Sequence, residues 1–118
     1  MRSPEDFIPL RPVEFEILLT LADTERHGYA IIQETESRSG TRLETGTMYR
    51  ALRRLVSDGL AKPTERKPVA SDDTDDERRR YYAITALGKQ VAAAEAARMA
   101  RLVAAAKAVR LFPSPAKA

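Results

Sequence analysis

The sequence predicts a mainly α-helical fold with one small β hairpin, and three observations predict it. Apolar residues recur at three- and four-residue steps through the stretch that ends at Leu60. The helical period breaks there, and two short segments of extended character follow, separated by a proline and a dense acidic run. After Thr85 the chain is dominated by alanine, the residue of highest intrinsic helix propensity.

The first helix is predicted to start at Pro12, because a missing N–H is no loss at the first helical position, and to end near Asp23. Val13, Ile17, Leu18 and Leu21 form its apolar stripe. A turn holding His27 and Gly28 leads to a second helix over residues 29–38. Tyr29, Ile32 and, at the margin, Ile31 face its buried side, Gln33, Glu34 and Glu36 face outward, and Gly40 stops it. The third helix takes Thr45 as N-cap and turns Met48, Leu52, Leu55 and Val56 inward until Gly59 ends the pattern. Successive side chains rotate by about 100 degrees, so Gly46, Arg50, Arg54 and Ser57 share one stripe flanked by Arg53, with Thr47 in the first turn. One face is therefore apolar and the other cationic.

Residues 60–67 and 79–84 read as an antiparallel hairpin whose long loop contains Pro68 and the carboxylates Asp72, Asp73, Asp75, Asp76 and Glu77. Pro63 cannot donate a ladder hydrogen bond, which makes the first strand short, interrupted or an edge. Thr85 is placed to cap a last helix over residues 86–111, and residues 112–118 read as a frayed, disordered tail. The expected organisation is one compact unit over residues 1–85 followed by a helix at residues 86–111 that serves dimerisation.

Composition narrows the function. A chain of 118 residues suits one domain, and its net charge of +3 with 17 acidic residues puts the signal in charge arrangement rather than total. The lack of cysteine excludes disulfides, thiolate zinc sites and cysteine nucleophiles, and fits a reducing cytoplasm. No apolar run approaches the roughly 20 residues that span a bilayer, and the N-terminus lacks a signal-peptide core, so a soluble cytoplasmic protein without a membrane partner is expected. His27 stands alone, without a nucleophile or second ligand beside it, and is read as a structural residue that can cap the second helix. The acidic run lacks the glycine and terminal glutamate of a calcium loop, and no glycine-rich phosphate loop is present. The expectation is a non-enzyme with no cofactor and no metal.

The order helix, helix, helix, strand, strand, helix, with a basic third helix, is the layout of a winged helix-turn-helix domain, whose third helix enters a major groove. Leu10-Arg11-Pro12, Ile17-Leu18, His27-Gly28-Tyr29, Gly46-Thr47-Met48-Tyr49, Ala51-Leu52, Leu55, Asp58-Gly59-Leu60 and Arg80-Tyr81-Tyr82 through Thr85 to Gly88 resemble the PadR-like transcriptional regulators over residues 10–91. That resemblance implies a homodimeric regulator, usually a repressor, that binds a roughly palindromic operator through the third helix and the wing. It also implies dimerisation largely through the C-terminal helix, with help from the N-terminal segment. Arg50 stands where many relatives carry proline, and the single C-terminal helix is that of the short branch of the family, so effector binding in longer members is not carried over.

The major groove admits a helix, and phosphates line its rims. Thr45, Thr47, Tyr49 and Arg50 lie in the first turn that approaches bases, while Arg53 and Arg54 are long enough to reach phosphate or a guanine edge. Tyr49 has the alternative of packing into the core with only its hydroxyl outward. In the wing, Lys62, Arg66 and Lys67 on one strand and Arg78, Arg79 and Arg80 on the other set cations at its base. Strand alternation places Arg79 and Arg80 on opposite faces, so one arginine of that trio can be structural. The acidic tip is expected to turn away from a duplex, to be mobile, or to pair with nearby arginines when DNA is absent. In the last helix Leu87, Val91, Met99, Leu102, Val103, Ala106 and Val109 expose more apolar surface than a small monomer covers, which points to a symmetry mate; folding back on its own core is the alternative. The reading is a sequence-specific double-stranded DNA-binding regulator, a homodimeric repressor. Its competitors are a winged-helix module gripping a protein partner and a sensor with an unknown small-molecule effector between the dimer helix and the core.

Overall fold

A computed structural model describes residues 2–40, 42–64 and 80–113. After a short 3-10 turn, Pro4–Phe7, the chain forms α1 (Pro12–Leu21), β1 (Arg26–His27), α2 (Gly28–Ser39), α3 (Thr45–Ser57), β2 (Ala61–Pro63), β3 (Tyr81–Ile84) and α4 (Ala86–Ala108). Pro12 opens α1 as expected, and the helix stops two residues short of Asp23.

The expected hairpin is the larger part of a three-stranded antiparallel sheet in the order β1-β3-β2. Ala61 pairs with Ile84, Lys62 with Ala83 and Pro63 with Tyr82, so the proline ends an edge strand, where its missing donor is tolerated. The described part of β2 is shorter than the residue 60–67 reading. β1 adds Arg26 opposite Tyr82 and His27 opposite Tyr81. His27 serves two elements at once. Its Nδ1 accepts the Ala30 N–H at 3.1 Å and caps α2, and its ring meets Tyr81 edge to face at 5.3 Å.

Two expectations about helix ends and faces are corrected. Thr45 is not the N-cap of α3 but its first helical residue; Glu44, with extended backbone, holds the cap position. Tyr29 is exposed, because the buried stripe of α2 runs through Gly28, Ile31 and Thr35, rotated by one residue from the predicted one, with Ile32 at its margin. The C-terminus of α3 follows the expected glycine stop in full. Gly59 adopts a left-handed φ of +79°, its N–H bonds to the Val56 carbonyl, and the Leu60 N–H bonds back to the Leu55 carbonyl at 2.9 Å. Leu55 and Leu60 are both buried, which closes the apolar contact of that motif.

The core joins Ile17, Leu18 and Leu21 of α1, Ile31 of α2, Met48, Leu52 and Leu55 of α3, Leu60, and Val91 of α4. Thr85 caps α4 as predicted, accepting the Gly88 N–H at 2.9 Å while its hydroxyl donates to the Gly59 carbonyl. Val91 is 0% exposed and offers no surface to a partner, while Leu87 is half-buried against the same cluster. The assignment of Val91 to a dimer surface is corrected on that ground: the first half of α4 completes the chain's own core against α1 and the N-terminal turn. The second half leaves the core behind. Met99 and Ala106 are half-buried, whereas Leu102, Val103 and Val109 are 56%, 42% and 68% exposed.

Candidate nucleic-acid interface

α3 has the strongest segregation of apolar and polar residues in its sequence, and the fold uses it. Met48, Ala51, Leu52 and Leu55 sink into the core, which leaves Arg50 and Arg53 exposed on the opposite side. Arg50 donates from Nη2 to the Thr47 hydroxyl at 3.2 Å, folding its guanidinium over the first turn. Gly46 leaves it room, since a Cβ there would stand 3.3 Å from Arg50 Nη1, a tight contact. Thr45, Gly46 and Thr47 are half-exposed beside it. Tyr49 is corrected on both readings: its ring packs in the core, and its hydroxyl oxygen is buried with it instead of turning outward, so it presents no donor at the surface.

Arg54 is placed differently from its neighbours. Its Nη1 donates at 3.2 Å to Oε2 of Glu14, a carboxylate on α1 that is only 6% exposed. The other oxygen of Glu14 accepts the Arg11 N–H at the start of α1, the return half of a capping box. Arg54 thus neutralises a buried charge and joins α3 to α1, work that the solvent-facing stripe reading assigned to phosphate.

The wing contributes Lys62 and Arg80, both exposed. Arg66, Lys67, Arg78 and Arg79, and the acidic run with them, lie outside the described residues. A cavity of about 550 Å³ separates α3 from the sheet and is lined by Leu52, Arg53, Val56, Ser57, Pro63, Arg80 and Tyr82. Arg53 from the helix and Arg80 from the sheet therefore line one groove from its two sides. Arg42, exposed just ahead of α3, is a cation that sequence reasoning did not single out.

Another residue not foreseen is Glu95, a carboxylate on α4 that is 1% exposed. One oxygen accepts the Leu10 N–H at 2.6 Å, and the other accepts from Nε of Arg98. The Arg98 hydrogen bond holds the Glu95 carboxyl below its ordinary value of 4.5; burial opposes this, while the Leu10 N–H and the Arg98 charge add to it. A carboxyl depressed in the folded state stabilises the fold fully above pH 4.5 and loses that contribution as pH falls through the lowered value. Urea midpoints of the wild type and Glu95→Gln are expected to differ most near neutrality and to converge on acidification below 4.5. A gap that stays constant at low pH would refute this.

Among the described residues no cluster of His, Cys, Asp and Glu is arranged to hold a metal ion, and no helix is long and apolar enough to cross a membrane. Three helices around one core, a cationic third helix and a small antiparallel wing define a winged helix-turn-helix protein. The chain belongs to the transcriptional regulator PadR-like family, whose sequence model matches residues 17–94, a family of regulators and not of enzymes.

It is 40% identical over 86 residues to an uncharacterized 37.1 kDa protein in transposon TN4556 of Streptomyces fradiae, a stretch covering 73% of this chain and 22% of that protein. It is 39% identical over 77 residues to the transcriptional regulator Rv3488 of Mycobacterium tuberculosis (strain ATCC 25618 / H37Rv), 65% of each chain. The match thus spans less than two thirds of either relative. Among solved structures, a PadR family transcription regulator from hypervirulent Clostridium difficile R20291 superposes with a TM-score of 0.67 at 26% identity, covering 82% of this chain and 96% of that one.

Proposed function

We propose that the protein binds double-stranded DNA as a homodimer, reads a roughly palindromic operator with α3, and acts as a repressor by occupying it. The observation that carries this reading is the groove with Arg53 of α3 on one side and Arg80 of the wing on the other, with Arg50 at the helix start. A helix that enters a major groove needs cations that reach the phosphates on both rims, and this arrangement supplies them. Thr47 and Thr45 stand in the first turn, where base edges are approached. The exposed Leu102, Val103 and Val109 on the outer half of α4, with Met99 and Ala106 beside them, form the surface that a second copy covers. A C2 dimer built this way sets two α3 helices in successive major grooves.

The test is fluorescence anisotropy of the purified protein with the duplex upstream of its own gene, against a scrambled duplex, over a range of salt. With Arg50, Arg53 and Arg80 of each protomer on one phosphate apiece, a dimer neutralises about six, so affinity is expected to fall roughly a thousandfold between 50 and 200 mM salt. Equal, weak binding to both duplexes would leave the fold serving as a protein-interaction module.

A further inference from the structure

Among the described residues two carboxylates are almost wholly buried, Glu14 at 6% and Glu95 at 1% exposure, and they are joined. Glu95 on α4 accepts the Leu10 N–H at 2.6 Å. The next N–H along the chain, that of Arg11, donates to Glu14 at 3.2 Å, and the second oxygen of Glu14 receives Arg54 of α3, also at 3.2 Å. The backbone between the two carboxylates is Pro9-Leu10-Arg11-Pro12. Neither proline has an N–H, so Leu10 and Arg11 supply the only two backbone donors of that stretch, and both are taken. The flanking proline rings also fix φ at positions 9 and 12, which leaves the segment fewer soft torsions in which to absorb a displacement at Leu10.

Burying a carboxylate is costly, and well-packed apolar side chains in place of a buried ion pair are often neutral or stabilising, so what such an ion adds is a directional constraint. We propose that Glu95 is a positioning residue for the recognition helix: through Leu10, Arg11 and Glu14 it sets Arg54, and so couples the placement of α4 to the presentation of α3. The inference rests on the DNA-binding reading for its consequence, since the same helix that carries the exposed apolar face of the proposed dimer then bears on the groove contacts. Coupling between elements can be carried by a contiguous hydrogen-bond network, and the two carboxylates with Leu10, Arg11 and Arg54 form one.

The experiment has two readouts. In the full-length protein, Glu95→Gln is expected to shift the Arg54 side-chain Nε–H resonance while that of Arg53 stays in place. Arg98→Gln, at a partly exposed position that loosens Glu95 without entering the core, is expected to shift it the same way and less. In operator binding, Glu95→Gln is expected to weaken affinity about fivefold in the wild-type background and less than twofold when Glu14 is already glutamine, the non-additivity of residues acting in series. An unmoved Arg54 resonance, or equal losses in both backgrounds, overturns the proposal. If the wild type binds no duplex selectively, the DNA-binding reading fails while the Arg54 resonance still decides the coupling.

Discussion

Alanine at position 88 is expected to destabilise the protein by about 3 kcal/mol and to lower its melting temperature by about 10 °C or more. In an ordinary helix the same exchange is favourable by roughly 0.5–1 kcal/mol, because glycine loses more backbone entropy on folding than alanine. The sign reverses here because a Cβ on Gly88 would lie 2.0 Å from the Leu60 carbonyl oxygen, 3.0 Å from its carbon and 2.8 Å from Cγ1 of Ile84. The Leu60 backbone has little room to retreat. Its N–H is bound to the Leu55 carbonyl in the turn that ends α3, and its oxygen accepts the Thr85 N–H at 3.1 Å where α4 begins. Accommodating a methyl group means breaking one of these bonds or lifting α4 off the end of α3, and either opens the core beneath Val91. Thermal denaturation followed by circular dichroism reads the effect directly. A melting temperature that is unchanged or higher would show that the approach of α4 to Leu60 is looser than this geometry.

How much of this was legible in the sequence depends on the range of the interaction. Features set by neighbours in the chain came through: Pro12 at the start of α1, Gly59 at the end of α3 and Thr85 capping α4 each rest on bonds spanning three to five residues. The capping of α2 by His27 was within reach for the same reason. β1 was missed because two residues carry no period, and its existence is decided by Tyr81 and Tyr82, far along the chain. Glu95 was unreadable for a stronger form of that reason. A single carboxylate in an alanine-rich helix looks like a solvated face, and its partner Leu10 is 85 residues away. Val91 and Leu102 have the same apolar character in sequence, yet one fills the core and the other faces outward, because only the first half of α4 lies against α1. Glu14 carried no usable signal: it accepts the Arg11 N–H without the serine or threonine that marks a capping box in sequence, and its partner Arg54 is 40 residues away.

The pair Arg50→Ala and Arg53→Ala together is expected to weaken operator binding about a thousandfold near 0.15 M salt, with little change in stability. Each neutralised phosphate releases close to one counterion, so taking two arginines from each protomer of a dimer flattens the plot of log affinity against log salt by about 3.6 units. Extrapolated from that slope, each arginine–phosphate pair is worth roughly fivefold at this ionic strength. Both side chains are exposed, and substitutions at such positions usually stay within about 0.5 kcal/mol of neutral. Arg54→Ala is the contrast that separates reading from positioning. It strands the nearly buried Glu14 without its cation, so its main cost is expected in stability, on the order of 2 kcal/mol, with the salt slope close to that of the wild type. Measured side by side, anisotropy titrations at several salt concentrations and urea midpoints assign each arginine to one role. A double Arg50, Arg53 variant that keeps the wild-type slope would move the DNA-facing surface away from α3, whereas a flattened slope in Arg54→Ala would return that residue to the phosphate-binding set.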